Sequence, residues 1–199
     1  MKKDFLNNSN LRLVVNSLFF DINEQNIIAR NDVSEYDIQN RFLFYLKLIA
    51  KNTGYGVKRE TRKIDVLISK KRKSRTVSEY AFEIKTYIKK HESLSLAVIL
   101  KDVNKLRKHL LVKRIKNKRA FLLIGISQKK LNNIKGKGKL IAHFLRKEVQ
   151  AKQIAKCFGT SISIIRSFQI CSSLRKDKAS INSQIRFFLI EIQGNKIKK

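Results

Sequence analysis

The spacing of hydrophobic positions changes several times along the chain, and each change marks an element. From Ser34 onward, apolar residues recur at Ile38, Phe42, Tyr45, Leu46 and Ile49, the three-to-four spacing of a helix with one buried face. Ser34 is suited to accept from the free amides of a first turn, and Glu35 and Asp37 put negative charge where the helix dipole favours it. Gly54 and Gly56 stop the pattern, so the spacing predicts a helix over Glu35 to Asn52. Three strands follow. Val57 to Thr61 is short and charged, Ile64 to Ser69 (IDVLIS) is rich in β-branched residues, and Tyr80 to Ile88 (YAFEIKTYI) alternates with period two. The basic stretch Lys70 to Ser78 between the last two reads as a turn. Asp102 is suited to cap a second helix carrying Val103, Leu106, Leu110 and Leu111 on one face. Ala120 to Ser127 (AFLLIGIS) is nearly all apolar, as expected of a strand covered on both faces. Gln128 to Lys139 reads as a loop, a helix is expected from near Leu140, and Gln184 to Ile192 (QIRFFLIEI) reads as a strand.

That order (αβββαβ) predicts an α/β fold with a mixed central sheet flanked by helices. The expected organisation is a poorly patterned lead-in over 1–32, a core over 33–128 and a basic, mostly helical extension over 129–199. Within the extension, QIAKCFGTSISIIRSF resembles a helix-turn-helix at 151–170, with Thr160 to Ser167 in or near its recognition helix and Arg166 facing DNA. The competing reading is one longer basic helix followed by a strand, because Ile162, Ile164 and Ile165 also suit β structure.

Charge narrows the partners. The 45 Lys and Arg outnumber the 15 Asp and Glu, a formal net charge of +30, which repels itself unless a polyanion neutralises it. Nucleic acid is the expected partner, since basic contacts release its condensed counterions. The hairpin residues Lys70, Lys71, Arg72, Lys73 and Arg75, together with Lys105, are candidate phosphate contacts. No membrane association is expected, because no apolar run reaches the length of a span, and the chain reads as intracellular and cytoplasmic. Cys157 and Cys171 form no zinc or disulfide pattern, and His91, His109 and His143 have no metal-ligand spacing. Gly136 to Lys139 (GKGK) lacks the spacing of a P-loop, so no nucleotide cofactor is expected.

Successive strand residues point to opposite faces. Ala81, Glu83, Lys85 and Tyr87 therefore share one face of their strand, and Asp65 and Leu67 share one face of theirs. If the two strands pair as neighbours, Asp65, Glu83 and Lys85 emerge together. Adjacent carboxylates repel and hold protons more tightly, a penalty that a hard divalent ion removes.

Asp65, an intervening hairpin and then Glu83-Ile84-Lys85 resemble the D…ExK signature of the PD-(D/E)XK, or restriction-endonuclease-like, nucleases. Ile64 stands where the family's name has proline. The resemblance covers roughly Ser34 to Ser127 and implies a restriction-endonuclease-like core. It implies Mg²⁺, with Mn²⁺ as a substitute, held by Asp65, Glu83 and the backbone carbonyl of Ile84. It implies that Lys85 serves the attacking water and that a helical glutamate supports the site. Glu35 is the matching position, and Asp37 is its near competitor. On this resemblance the expected activity is endodeoxyribonuclease cleavage of restriction or homing type by a homodimer. The alternatives are a Holliday-junction resolvase-like nuclease and a non-catalytic DNA-binding regulator.

Overall fold

The computed structural model describes residues 5–29, 33–61, 64–72, 75–88, 96–111, 118–133, 163–170 and 185–193. Its elements are α1 (Asn8–Ala29), α2 (Glu35–Ala50), β1 (Tyr55–Thr61), β2 (Ile64–Arg72), β3 (Arg75–Tyr87), α3 (Leu96–Leu111), β4 (Arg119–Ser127), α4 (Gln128–Asn133), β5 (Ser163–Ile170) and β6 (Ile185–Gln193). The strands form one six-stranded mixed sheet in the order β1-β2-β3-β4-β6-β5. β1, β2 and β3 run antiparallel, β4 is parallel to β3 across the α3 crossover, and β6 runs antiparallel to both β4 and β5. The chain is thus α/β, with helices on both faces of a mixed sheet. Among the described residues no helix is long and apolar enough to cross a membrane.

α2 begins as its sequence demands. Asp37 donates its amide to the Ser34 hydroxyl at 3.1 Å, and the Ser34 amide donates to the Asp37 carboxylate at 2.9 Å, a reciprocal cap for two free amides. Ile38, Phe42, Leu46 and Ala50, four residues apart, carry the buried face. The chain then turns through Asn52 (φ 67°) and Gly54 (φ 74°), and the second of these left-handed positions suits glycine.

Strand alternation divides the core in two. Val66, Ile68, Phe82, Ile84, Phe121, Leu123, Phe187 and Leu189 pack under α1 and α2. Leu67, Ala81, Leu122, Ile124, Phe188 and Ile190 pack under Ile99, Val103 and Leu106 of α3 and Leu131 of α4. Burying one such large side chain contributes about 1.5–3 kcal/mol. β4 is central, and its residues 120–126 are buried, as the apolar run requires.

Five sequence expectations change. Gln128–Asn133, at the start of the expected loop, is the short helix α4, whose Leu131 is buried. The lead-in is a 22-residue helix, α1, whose Leu11, Val14, Val15, Leu18, Phe19 and Ile22 enter the core. The buried Asn23 then grips the start of β6: it donates to the Ile185 carbonyl (2.9 Å) and accepts from the Ile185 amide (2.7 Å). The basic turn is much shorter than Lys70 to Ser78, since β2 runs to Arg72 and β3 starts at Arg75. α3 starts at Leu96, so Asp102 lies within the helix and does not cap it. Beyond α4 the described part of the C-terminal region is strand rather than helix. Ser163–Ile170 is β5, which replaces the expected recognition helix over those residues, including Arg166. β-branched Ile164 and Ile165 favour extended backbone, and β6 offers an edge to pair with. Residues 151–162 of the helix-turn-helix-like stretch, Cys157, Cys171, His91, His143 and Gly136 to Lys139 lie outside the described residues.

Candidate active site

The site forms where β2 begins. The β2–β3 register pairs Val66 with Phe82, and one further step sets Asp65 opposite Glu83. The β2–β3 pairing ends at Val66 and Phe82, and β3 runs on past it with amides that still need acceptors. Two carboxylates supply them. Asp65 Oδ2 accepts from the Ile84 amide at 2.7 Å, and Glu35 Oε2, on the first residue of α2, accepts from the Thr86 amide at 3.1 Å. The contact at Ile84 is therefore through its amide. Asp37 is committed to the helix cap, which leaves Glu35 as the α2 acid at the site.

α3 covers this part of the sheet and adds two residues. Asp102 falls on the same stripe as Ile99, Val103 and Leu106, so packing presses its carboxylate against β3. One turn on, Lys105 donates to Glu83 Oε2 at 2.6 Å. The result is a chain of alternating charge. Glu35 lies 3.5 Å from the Lys85 ammonium, Lys85 3.8 Å from Asp102, Asp102 3.9 Å from Lys105, and Lys105 2.6 Å from Glu83. The Glu83 side chain is fully buried. Its Oε1, like Asp102 Oδ2, is buried without a hydrogen-bond partner.

The chain matches no family model, no curated protein and no solved structure.

Burial pushes the Glu83 carboxyl from 4.5 up to about 7; the Lys105 hydrogen bond opposes this, while Asp65 and Asp102 add to it. Asp102 is raised by burial and by Asp65, against the pull of Lys85 and Lys105. For Lys85, burial works to lower the amine, but Glu35, Asp102 and Asp65 together outweigh it and the pKa ends above its ordinary value. Lys85 is therefore an ammonium at neutral pH, able to orient a water or an anion but not to take up a proton.

Asp65, Glu83, Lys85 and Glu35, the four residues singled out in the sequence, come together at one end of β3. Sequence reasoning placed Lys105 on DNA, whereas here it is held by Glu83. It also missed Asp102, whose signal was the helical spacing from Ile99. Of the basic hairpin, Lys70 lies with its ammonium 4.7 Å from the centre of the Tyr55 ring. Lys71 and Arg72 lie on β2, Arg75 on β3, and Lys73 outside the described residues.

Among the described residues, no three His, Cys, Asp or Glu side chains converge as a ready metal cluster, since the two ammonium groups stand between the acids. The donors nonetheless fit a hard divalent ion. Glu83 and Asp65 are all-oxygen, repel each other, and leave one buried oxygen of Glu83 unbonded.

Proposed function

We propose that this chain is a Mg²⁺-dependent endodeoxyribonuclease of restriction-endonuclease-like architecture, acting as a homodimer on duplex DNA. One observation carries the reading. In a chain of net charge +30 with only 15 acids, four of them, Glu35, Asp65, Glu83 and Asp102, are threaded between the ammonium groups of Lys85 and Lys105 at the end of one strand pair. Such a gathering is unfavourable as mere surface and useful as a cation site facing a polyanion. The helix–three strands–helix–strand order from Glu35 to Ser127, with the acid pair on β2 and β3, agrees with that architecture.

Asp65 and Glu83, with the Ile84 carbonyl, would hold the ion. When bound, it would polarise the phosphodiester and stabilise the charge that develops on phosphorus. Asp65 is fixed for this by the Ile84 amide. Lys85, kept protonated and aimed by Glu35, orients the attacking water and balances negative charge at the phosphorus. The far end of the β2–β3 hairpin carries Lys71, Arg72 and Arg75, roughly 23 Å from Asp65 at the usual rise per strand residue, a distance that suits a duplex lying along the hairpin.

The test is cleavage of supercoiled plasmid, linear duplex and four-way junction DNA by the purified chain with Mg²⁺ or Mn²⁺. Glu83→Ala and Lys85→Ala should each abolish cutting while still shifting DNA on a gel. Intact substrates under every metal would sink the reading and leave a DNA-binding protein. Preference for the junction would reassign the substrate to the resolvase class.

A further inference from the structure

Lys105 is the second ammonium at this site, beside Lys85. Its ammonium is 2.6 Å from Glu83 Oε2 and 3.9 Å from Asp102 Oδ1, bridging two buried acids from different elements. Yet it leaves Glu83 Oε1 and Asp102 Oδ2 buried and without hydrogen bonds. Asp102 Oδ2 has the Lys85 ammonium at 3.8 Å, but Glu83 has only Lys105, which therefore matches its charge in part, and a doubly charged ion with more coordination positions would match it better. An ammonium and a divalent ion beside the same carboxylate repel strongly in a buried setting, so the two are exclusive. Lys105 has a route out. Its side chain is 32% exposed where that of Glu83 is 0%, and its flexible stem lets the charged end swing to solvent.

We propose that Lys105 is the resting counter-ion of the metal site, paired with Glu83 and Asp102 until a divalent ion held by Asp65 and Glu83 displaces it outward, where it becomes a contact for a DNA phosphate. This rests on the nuclease reading of the same site and adds a regulatory step to it. In the metal-free chain the acids are neutralised internally and Lys105 is withheld from DNA. Loading the ion both fills the site and releases a positive group at its mouth, so metal and DNA binding reinforce each other.

The experiment uses the full chain and Mn²⁺ alone, followed by calorimetry. Lys105→Met should bind Mn²⁺ at least about tenfold more tightly than wild type, because a charge in direct contact is removed. Lys101→Met, on the exposed side of the same helix, should change the affinity by no more than about twofold, because water screens it. In wild type, acetylation of Lys105 read by mass spectrometry should be slow without metal and speed up with saturating Mn²⁺, while Lys101 stays constant. Equal or weaker binding by Lys105→Met, or labelling of Lys105 that ignores Mn²⁺, overturns the displacement and leaves the nuclease reading standing. Absence of Mn²⁺ binding in both wild type and Lys105→Met overturns both.

Discussion

The Asp65 carboxylate is bonded to the amide of Ile84, one residue past the glutamate it sits beside, at 2.7 Å. The acid therefore finishes the strand ladder as well as contributing charge, and the two roles separate by mutation. Asp65→Asn keeps an acceptor oxygen for the amide and should match wild type within about 1 kcal/mol in urea unfolding, while losing plasmid cleavage about a hundredfold or more. Asp65→Ala strands a strand amide and should cost about 1–3 kcal/mol in addition. Equal stability of the two variants would show that the bond contributes nothing to the fold.

Glu83 sets a pH dependence. With its pKa raised from 4.5 to about 7, the folded chain holds a proton that the unfolded chain releases within that interval. The state that binds more protons gains as pH falls, so metal-free stability should rise as pH is lowered through 7 toward 4.5, with the ionisation penalty complete above 7. The span amounts to about 3 kcal/mol. Glu83→Gln should flatten the curve in that window. Mn²⁺ needs the carboxylate, so its affinity in wild type should instead climb with pH through 7 and level off above it.

Lys85 is held by Glu35 and Asp102, and its chemistry depends on staying protonated. Lys85→Met should lower the single-turnover cleavage rate by about a hundredfold or more with little change in DNA affinity. Glu35→Gln, which keeps an acceptor for the Thr86 amide but drops the charge beside the amine, should give a smaller loss in the same assay. An equal drop in DNA affinity for Lys85→Met would make this lysine a simple phosphate contact.

Asn23 joins the first helix to the last strand through two hydrogen bonds to Ile185. Asn23→Ala leaves a buried carbonyl and amide without partners, which should destabilise the chain by about 2–4 kcal/mol in urea titration. Leu13→Ala, on the exposed side of α1, should change stability by less than about 0.5 kcal/mol.

How much of this was legible in the sequence depended on whether the signal was local. α2, its Ser34 cap and the alternation of β3 were readable because one short segment contains the whole pattern. α1 was missed because Arg12, Asn16 and Ser17 interrupt Leu11 to Phe20 when it is read linearly. At 3.6 residues per turn they fall off the stripe formed by Leu11, Val14, Val15, Leu18 and Phe19. Asp102 reads as a cap because aspartate favours caps, although Ile99 shares its stripe. The convergence of Asp65, Glu83 and Lys85 followed from period-two alternation and neighbouring strands. That Lys105 fills the gap beside Glu83 depends on the angle at which α3 crosses the sheet, which no local pattern encodes. Nor does any local pattern tell β6 to pair with β4 rather than with another edge.

That last pairing orders events in time. β4, the most apolar strand, is flanked by β3 on one side and by β6, from far downstream, on the other. As the chain leaves the ribosome at about 5–20 residues per second, β4 must wait some seconds with one edge bare. A product stopped before Ile185 would keep that edge open and leave Asn23 without its grip, so β4 gains its second neighbour only once β6 arrives.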